Sequence, residues 1–223
     1  MTSNSSNRTP SDADCRDAAS VASEATDERV CFDLDYREEV RLRNGRRLSL
    51  RVPRPDDREQ FRRGFEALSP LSRRRRFHMI KKSLSETELD YLTDPDGIDH
   101  YALGAIALGW RGQEKTPVGV ARFFRMAAEP QTAEFAVVVV DAWQNQGIGR
   151  LLLRRLLAAA RERGIRYLSG QIMADNAPML HILHDVPEAY RRRLPEGIIE
   201  IDVPVWVLNK TTGTHGAPVT SAP

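Results

Sequence analysis

The chain has 223 residues, 41% of them hydrophobic, enough to bury one full-sized core and better suited to one domain with appendages than to two equal domains. Basic side chains number 33 against 31 acidic ones, and a net charge of +2 argues against nucleic-acid binding driven by bulk phosphate neutralisation. No apolar run reaches the length of a membrane span, the first residues lack the order of a secretory signal, and Cys15 and Cys31 match no metal or redox spacing. A cytoplasmic protein without metal, membrane or nucleic-acid partner is therefore expected.

Residues 1–29 are rich in Ser, Asp, Ala, Asn and Thr and poor in large apolar side chains, so they are expected to form a disordered arm. From Thr211 onward the composition is the same and a flexible tail is expected, which leaves 30–210 as the folded region. Arg46–Val52 alternates as a strand, and Pro53 to Asp57 stops it and gives an acidic start to a helix carrying Phe61, Phe65 and Leu68 on one face. A second helical region is expected over Pro70–Leu92, and its Arg73–Arg76 run reads as a solvated face. Asp94-Pro95-Asp96-Gly97 is a turn leading into a strand over Tyr101–Trp110. Gly112 and Pro117 bracket a hairpin whose second strand is Val118–Met126. Ala133–Val140 is a continuous apolar run, as expected of a strand covered on both faces. Gly147–Arg163 repeats apolar residues at helical spacing, with Gly164 as its C-terminal stop. Tyr167–Ile172 then completes a strand–helix–strand unit with parallel strands, and Ile199–Val207 alternates as a late strand. The sum is a mixed α+β sheet flanked by helices.

The most telling stretch is EFAVVVVDAWQNQGIG, Glu134 to Gly149, where an apolar strand runs into a glycine-spaced turn that opens a long helix. That order gathers backbone N–H donors around a phosphate. The spacing Gln144-x-x-Gly147-x-Gly149 resembles the acyl-CoA pyrophosphate loop of the GNAT N-acetyltransferases. A second segment, NGRRLSLRVPRPDDREQFRRGFEALSPLSRRRRF from Asn44 to Phe77, is similar to the opening of bacterial protein-lysine acetyltransferases of the Pat type. Two separated segments in the right order weigh more than either alone. The resemblance implies the GNAT fold, a central twisted mixed sheet of six to seven strands with helices on both faces. It also implies acetyl-CoA as acyl donor and a primary amine, by preference a protein lysine, as acceptor.

Carried onto this sequence, the resemblance gives the backbones of Val138, Val139 and Val140 the pantetheine arm. It gives the pyrophosphate to the amides of Gln146, Gly147, Ile148, Gly149 and Arg150, with Gln144 shaping the loop. Asn176 matches a position that bonds the CoA arm, and as a residue before a short helical run it also suits a helix N-cap. An alkyl ammonium is neutral only about once in 2,500 at pH 7, at a cost of about 4.6 kcal/mol, so transfer to an amine needs a proton acceptor. Glu134, in Ala-Glu-Phe-Ala, matches the general base of Pat-type domains, and its apolar sequence neighbours suggest a partly desolvated carboxylate.

The chain departs from the family where a tyrosine usually protonates the departing thiolate. Leu183 stands there, flanked by His181 and His184, either of which offers a proton. The usual Leu-Gly-Phe that follows is replaced by His184-Asp185-Val186-Pro187. Neither cysteine lies near the strand that would hold a thioester, so direct transfer is expected over a cysteine-bound intermediate. Trp143 reads as a packing residue. A small-molecule amine as acceptor, or an acyl-CoA sensor with weak activity, stay open beside the lysine reading, as does monomer against homodimer. A nucleotide site is disfavoured because Arg150 and Leu151 stand where a P-loop carries Lys and Ser or Thr.

Overall fold

The computed structural model describes residues 32–210 apart from 78, 80, 185, 187 and 188, so the arm expected at 1–29 and the tail at 211–223 lie outside the described residues. Eight strands form one sheet: β1 (Arg37–Arg41), β2 (Arg47–Arg51), β3 (His100–Leu108), β4 (Glu114–Met126), β5 (Glu129–Val139), β6 (Tyr167–Met173), β7 (Tyr190–Arg193) and β8 (Ile198–Pro204). Their order is β1-β2-β3-β4-β5-β6-β8-β7, and the only parallel pair is β5 with β6. This is the mixed sheet expected, with eight strands where six or seven were anticipated. β1 reads REEVR and β7 reads YRRR, so neither shows the apolar alternation by which a half-buried strand announces itself.

Five helices pack on the sheet: α1 (Arg58–Glu66), α2 (Pro70–Phe77), α3 (Glu86–Thr93), α4 (Ile148–Glu162) and α5 (Ala177–His184). The single helical region expected over Pro70–Leu92 is two helices. Ser85 accepts from the Glu88 amide while the Glu88 carboxylate accepts from the Ser85 amide, and this reciprocal cap starts α3 afresh. The late strand likewise stops at Pro204, and Val205–Lys210 is 3-10 helix. Helix α4 buries Leu152, Leu153, Leu156, Leu157, Ala159 and Ala160. It ends at Gly164 as expected, with Gly164 N–H donating to the Arg161 carbonyl and Ile165 N–H to that of Ala160.

Alternation along β5 separates the two layers. Ala133, Phe135, Val137 and Val139 pack with the α4 side chains into the main core, whereas Val138 and Val140 face α1 and Phe61. At the α1 end, Arg51 joins Asp57 at 2.6 Å and Glu114 at 2.9 Å, tying the start of α1 to β2 and β4. One feature of the sheet places the site. β5 pairs with β6 only over Thr132–Glu134 against Tyr167–Ser169, after which β5 continues along β4 and β6 along β8. From Phe135 onward the two strands part and leave a wedge in the sheet.

Candidate active site

The wedge opens into a cleft of about 600 Å³ walled by α2, β5, the loop after β5, the first turn of α4, and α5 with the residue before it. The β4–β5 register decides which backbone groups β5 offers to it. Val140 N–H donates to the Val118 carbonyl at 2.9 Å, and antiparallel alternation then turns the N–H and C=O of Val138 toward β4 as well. Val137 and Val139 are the residues whose backbones face the wedge. Of the three valines expected to form the backbone rail, only Val139 is so oriented. Val140 does not line the cleft at all.

Gln144 lines the cleft, and its Nε2 donates to the Val139 carbonyl at 3.0 Å and to Ser72 Oγ at 3.3 Å. After it the chain turns through two left-handed residues, Asn145 (φ 57°) and Gly147 (φ 83°), and enters α4. No side chain caps α4, so its first-turn amides have no capping side-chain acceptor, and a Cβ on Gly147 would meet nothing within 4 Å. Gly147, Ile148, Gly149 and Arg150 line the cleft as expected, together with Asn145, which the spacing did not single out. Gln146 does not line it. Its side chain accepts from Asn44 Nδ2 at 2.8 Å and donates to the Ala142 carbonyl, locking the loop to the β1–β2 turn. Asn176 lines the cleft, and its Oδ1 accepts from the Met179 amide at 3.3 Å, the contact of a helix N-cap.

The arginine run on α2 is not the solvated face expected. Arg74 is exposed, but Arg75 and Arg76 are half-buried and line the cleft, and Arg73 donates to the carbonyls of Leu68 and Glu66. Asp141, at the end of β5, fixes this helix by accepting from Ser69 N–H, Ser69 Oγ and Ser72 Oγ at 2.8, 2.7 and 2.9 Å. Burial would raise the Asp141 carboxyl, but those donors outweigh it and hold the group below the ordinary range. Arg75 reaches across to the side chain and carbonyl of Asp175, beside Asn176. Trp143 packs against the core as expected, under the Arg46 guanidinium, while one side of it also borders the cleft.

Glu134 sits at the apex of the wedge, at the last β5 residue paired with β6. It is exposed, so the apolar enclosure anticipated from its neighbours is absent. Its surroundings are set instead by Phe124, its direct partner on β4, which stacks on Tyr91 with ring centroids 5.0 Å apart, and by Arg76. Burial lowers the Arg76 guanidinium, and the Glu134 charge opposes that shift. Leu183 is wholly buried, so nothing polar stands at the usual acid position, and of the two flanking histidines His181 lines the cleft. Among the described residues no group of three or more His, Cys, Asp or Glu could hold a metal ion, and no helix is long and apolar enough to cross a membrane.

The sequence model of the acetyltransferase (GNAT) family matches residues 66–184. An acetyltransferase of Pseudomonas aeruginosa is 33% identical over 138 residues, 62% of this chain and 73% of that protein. The acetyltransferase Pat of Mycolicibacterium smegmatis is 29% identical over 166 residues, 74% of this chain, which spans about half (48%) of that protein's length. Among solved structures, the GNAT domain of S. lividans PAT superposes with a TM-score of 0.67 at 27% identity, covering 75% of this chain and 96% of that domain.

Proposed function

The chain belongs to the acetyltransferase (GNAT) family and is an N-acetyltransferase, and on that premise we propose that it transfers acetyl from acetyl-CoA directly to a primary amine, by preference a protein lysine in the cytoplasm, with Glu134 as general base. The observation that carries this reading is the wedge between β5 and β6, which brings three donor-binding features together. The uncapped start of α4 offers amides and the positive end of the helix dipole to a pyrophosphate. The Val137 and Val139 backbones offer a strand edge to the amide-rich pantetheine arm. Arg75, Arg76 and Arg150 give the cleft a basic rim suited to an anionic donor.

In this reading the amine approaches on the Glu134 face of β5, where Phe124 and the exposed Tyr91 present an aromatic surface to an alkyl chain. Glu134 takes the amine proton through a water, the nitrogen attacks the thioester carbonyl, and the C–S bond breaks. CoA leaves as a thiolate whose ordinary pKa near 8.5 makes it a tolerable leaving group without an acid. His181, on the cleft wall, is the imidazole among the described lining residues placed to return a proton. The chain has no cysteine within the described residues, which supports direct transfer.

Labelled acetyl-CoA offered with a native proteome and with a panel of small amines tests the acceptor. Label on protein lysines is expected, and transfer confined to small amines would overturn the lysine preference. A second reading, an acyl-CoA-binding domain with slow turnover, draws on the buried Leu183 at the acid position. It predicts donor binding without CoA release in the presence of any amine.

A further inference from the structure

A second cavity, of about 90 Å³, lies between α1–α3 and the sheet, on the Glu134 face of β5. Its walls are mostly apolar, contributed by Phe61, Phe65, Leu92 and Val138 among others, yet three arginines line it, Arg51, which is paired with Asp57, and Arg76 and Arg122. Arg122 projects from the middle of β4 and is only 2% exposed. It donates once, to the Leu92 carbonyl at 3.3 Å, and its second terminal nitrogen, Nη1, is buried without a partner. Arg76 has no hydrogen bond or ion pair among the described residues, and its guanidinium rests beside the Phe77 ring. The single carboxylate on the wall, Asp57, is already bound to Arg51, the Arg54 amide and Gln60. A buried guanidinium with a vacant donor, as at Arg122, carries the full cost of its lost hydration, and the half-buried Arg76 brings a second guanidinium without a hydrogen bond among the described residues to the same apolar space. Burial lowers Arg122 to about 9, the neighbouring Arg76 charge adds to that shift and Tyr91 opposes it, while the carboxylate that acts on Arg76 is the exposed Glu134. The cavity shares Arg76 and Val138 with the cleft, so the two spaces adjoin.

We propose that this cavity binds the carboxylate of a short aliphatic acid, held by Arg122 and Arg76 with its carbons against the phenylalanines. About 90 Å³ is the room of roughly three liquid waters, enough for a carboxylate and one or two methylenes. The acid reaches it either as the distal end of an acyl group on CoA, which widens the donor range to ω-carboxy acyl chains, or as a free molecule. The donor-borne route rests on the acyl-CoA reading of the adjoining cleft.

Titration calorimetry with acetyl-CoA, butyryl-CoA and succinyl-CoA, and thermal melts with free propionate against propanamide, test it on the full chain. Succinyl-CoA binding at least about tenfold tighter than butyryl-CoA, which has the same number of acyl carbons, places the acid on the donor. Equal binding of the two, with a saturable melting shift from propionate and none from propanamide, places it as a free molecule. Either preference should vanish in Arg122→Met and return in part in Arg122→Lys. If neither preference appears in the unaltered chain, the cavity holds water alone and the proposal fails, whether or not the variants fold. Acetyl-CoA bound normally in that case leaves the acetyltransferase reading standing, whereas failure of every CoA ester to bind sinks that reading instead.

Discussion

His100 is 6% exposed, sandwiched against Phe124 and Tyr91, and its Nε2 has no hydrogen-bond partner. Burial, reinforced by the charge of Arg122 and opposed by that of Asp96, lowers its pKa from 6.5 to about 4. The unfolded chain therefore binds a proton near pH 6.5 that the folded chain refuses until about pH 4, so stability is full above 6.5 and falls through that window. Denaturant melts between pH 8 and pH 4 should lose up to about 3 kcal/mol from this group, and His100→Gln should flatten the slope. An unchanged slope in the variant would assign the loss to other groups. Arg51 presents the opposite case of a well-paired buried charge. Its side chain is 12% exposed against 9% for Asp57 and 20% for Glu114, and although burial would raise both carboxyls, Arg51 together with the Arg54 amide on Asp57 and Ser49 and Arg37 on Glu114 holds them below their ordinary range. Arg51→Met strands two carboxylates, and equilibrium unfolding at pH 7 should show a loss of about 3 kcal/mol.

At the scale of elements, the site is held by how α2 and α4 start. Asp141 pins α2 through Ser69 and Ser72, and Asp141→Ala should cost about 1–3 kcal/mol in unfolding experiments and weaken acetyl-CoA binding several-fold, because Arg75 and Arg76 lose their anchor. Gly147 stands at φ 83° in open space, so Gly147→Ala meets no clash but adds backbone strain of about 1–2 kcal/mol at the donor loop. Calorimetry should register this as weaker acetyl-CoA binding with only a small change in melting temperature. The elements carrying strong periodicity, β5 and α4, were legible in the sequence, as was the Gly164 stop. β1 and β7 were not, because their residues are almost all charged and edge strands need bury little. The break between α2 and α3 was written in Ser85-x-x-Glu88 but outweighed by helical spacing on either side. The arginine run misled for a different reason: charge on a helix faces water unless something fixes the helix over a cleft, and that fixing contact, Asp141, lies 69 residues away from Ser72.

For the whole molecule the decisive feature is that β5 and β6 pair over only Thr132–Glu134 and Tyr167–Ser169 before they part. The parallel unit was legible in the sequence, but its divergence after Glu134 was not, since nothing local says where two strands stop pairing. For the same reason the valines expected as the rail, Val138, Val139 and Val140, are not the set whose backbones face the wedge. Periodicity identifies a strand, whereas only its register with β4 says that Val137 and Val139 face the wedge. If the wedge is the donor site, acetyl-CoA at 100 times its Kd should stabilise the fold by about 2.7 kcal/mol and raise the melting temperature accordingly, while ATP should not. The central claim, direct transfer with Glu134 as base, is tested most directly by the rate of CoA release to a lysine peptide from the unaltered chain and from Glu134→Gln, at matched acetyl-CoA saturation. A fall in kcat of about 10²-fold or more with acetyl-CoA affinity unchanged is the predicted result, and equal rates from the two proteins would contradict the account.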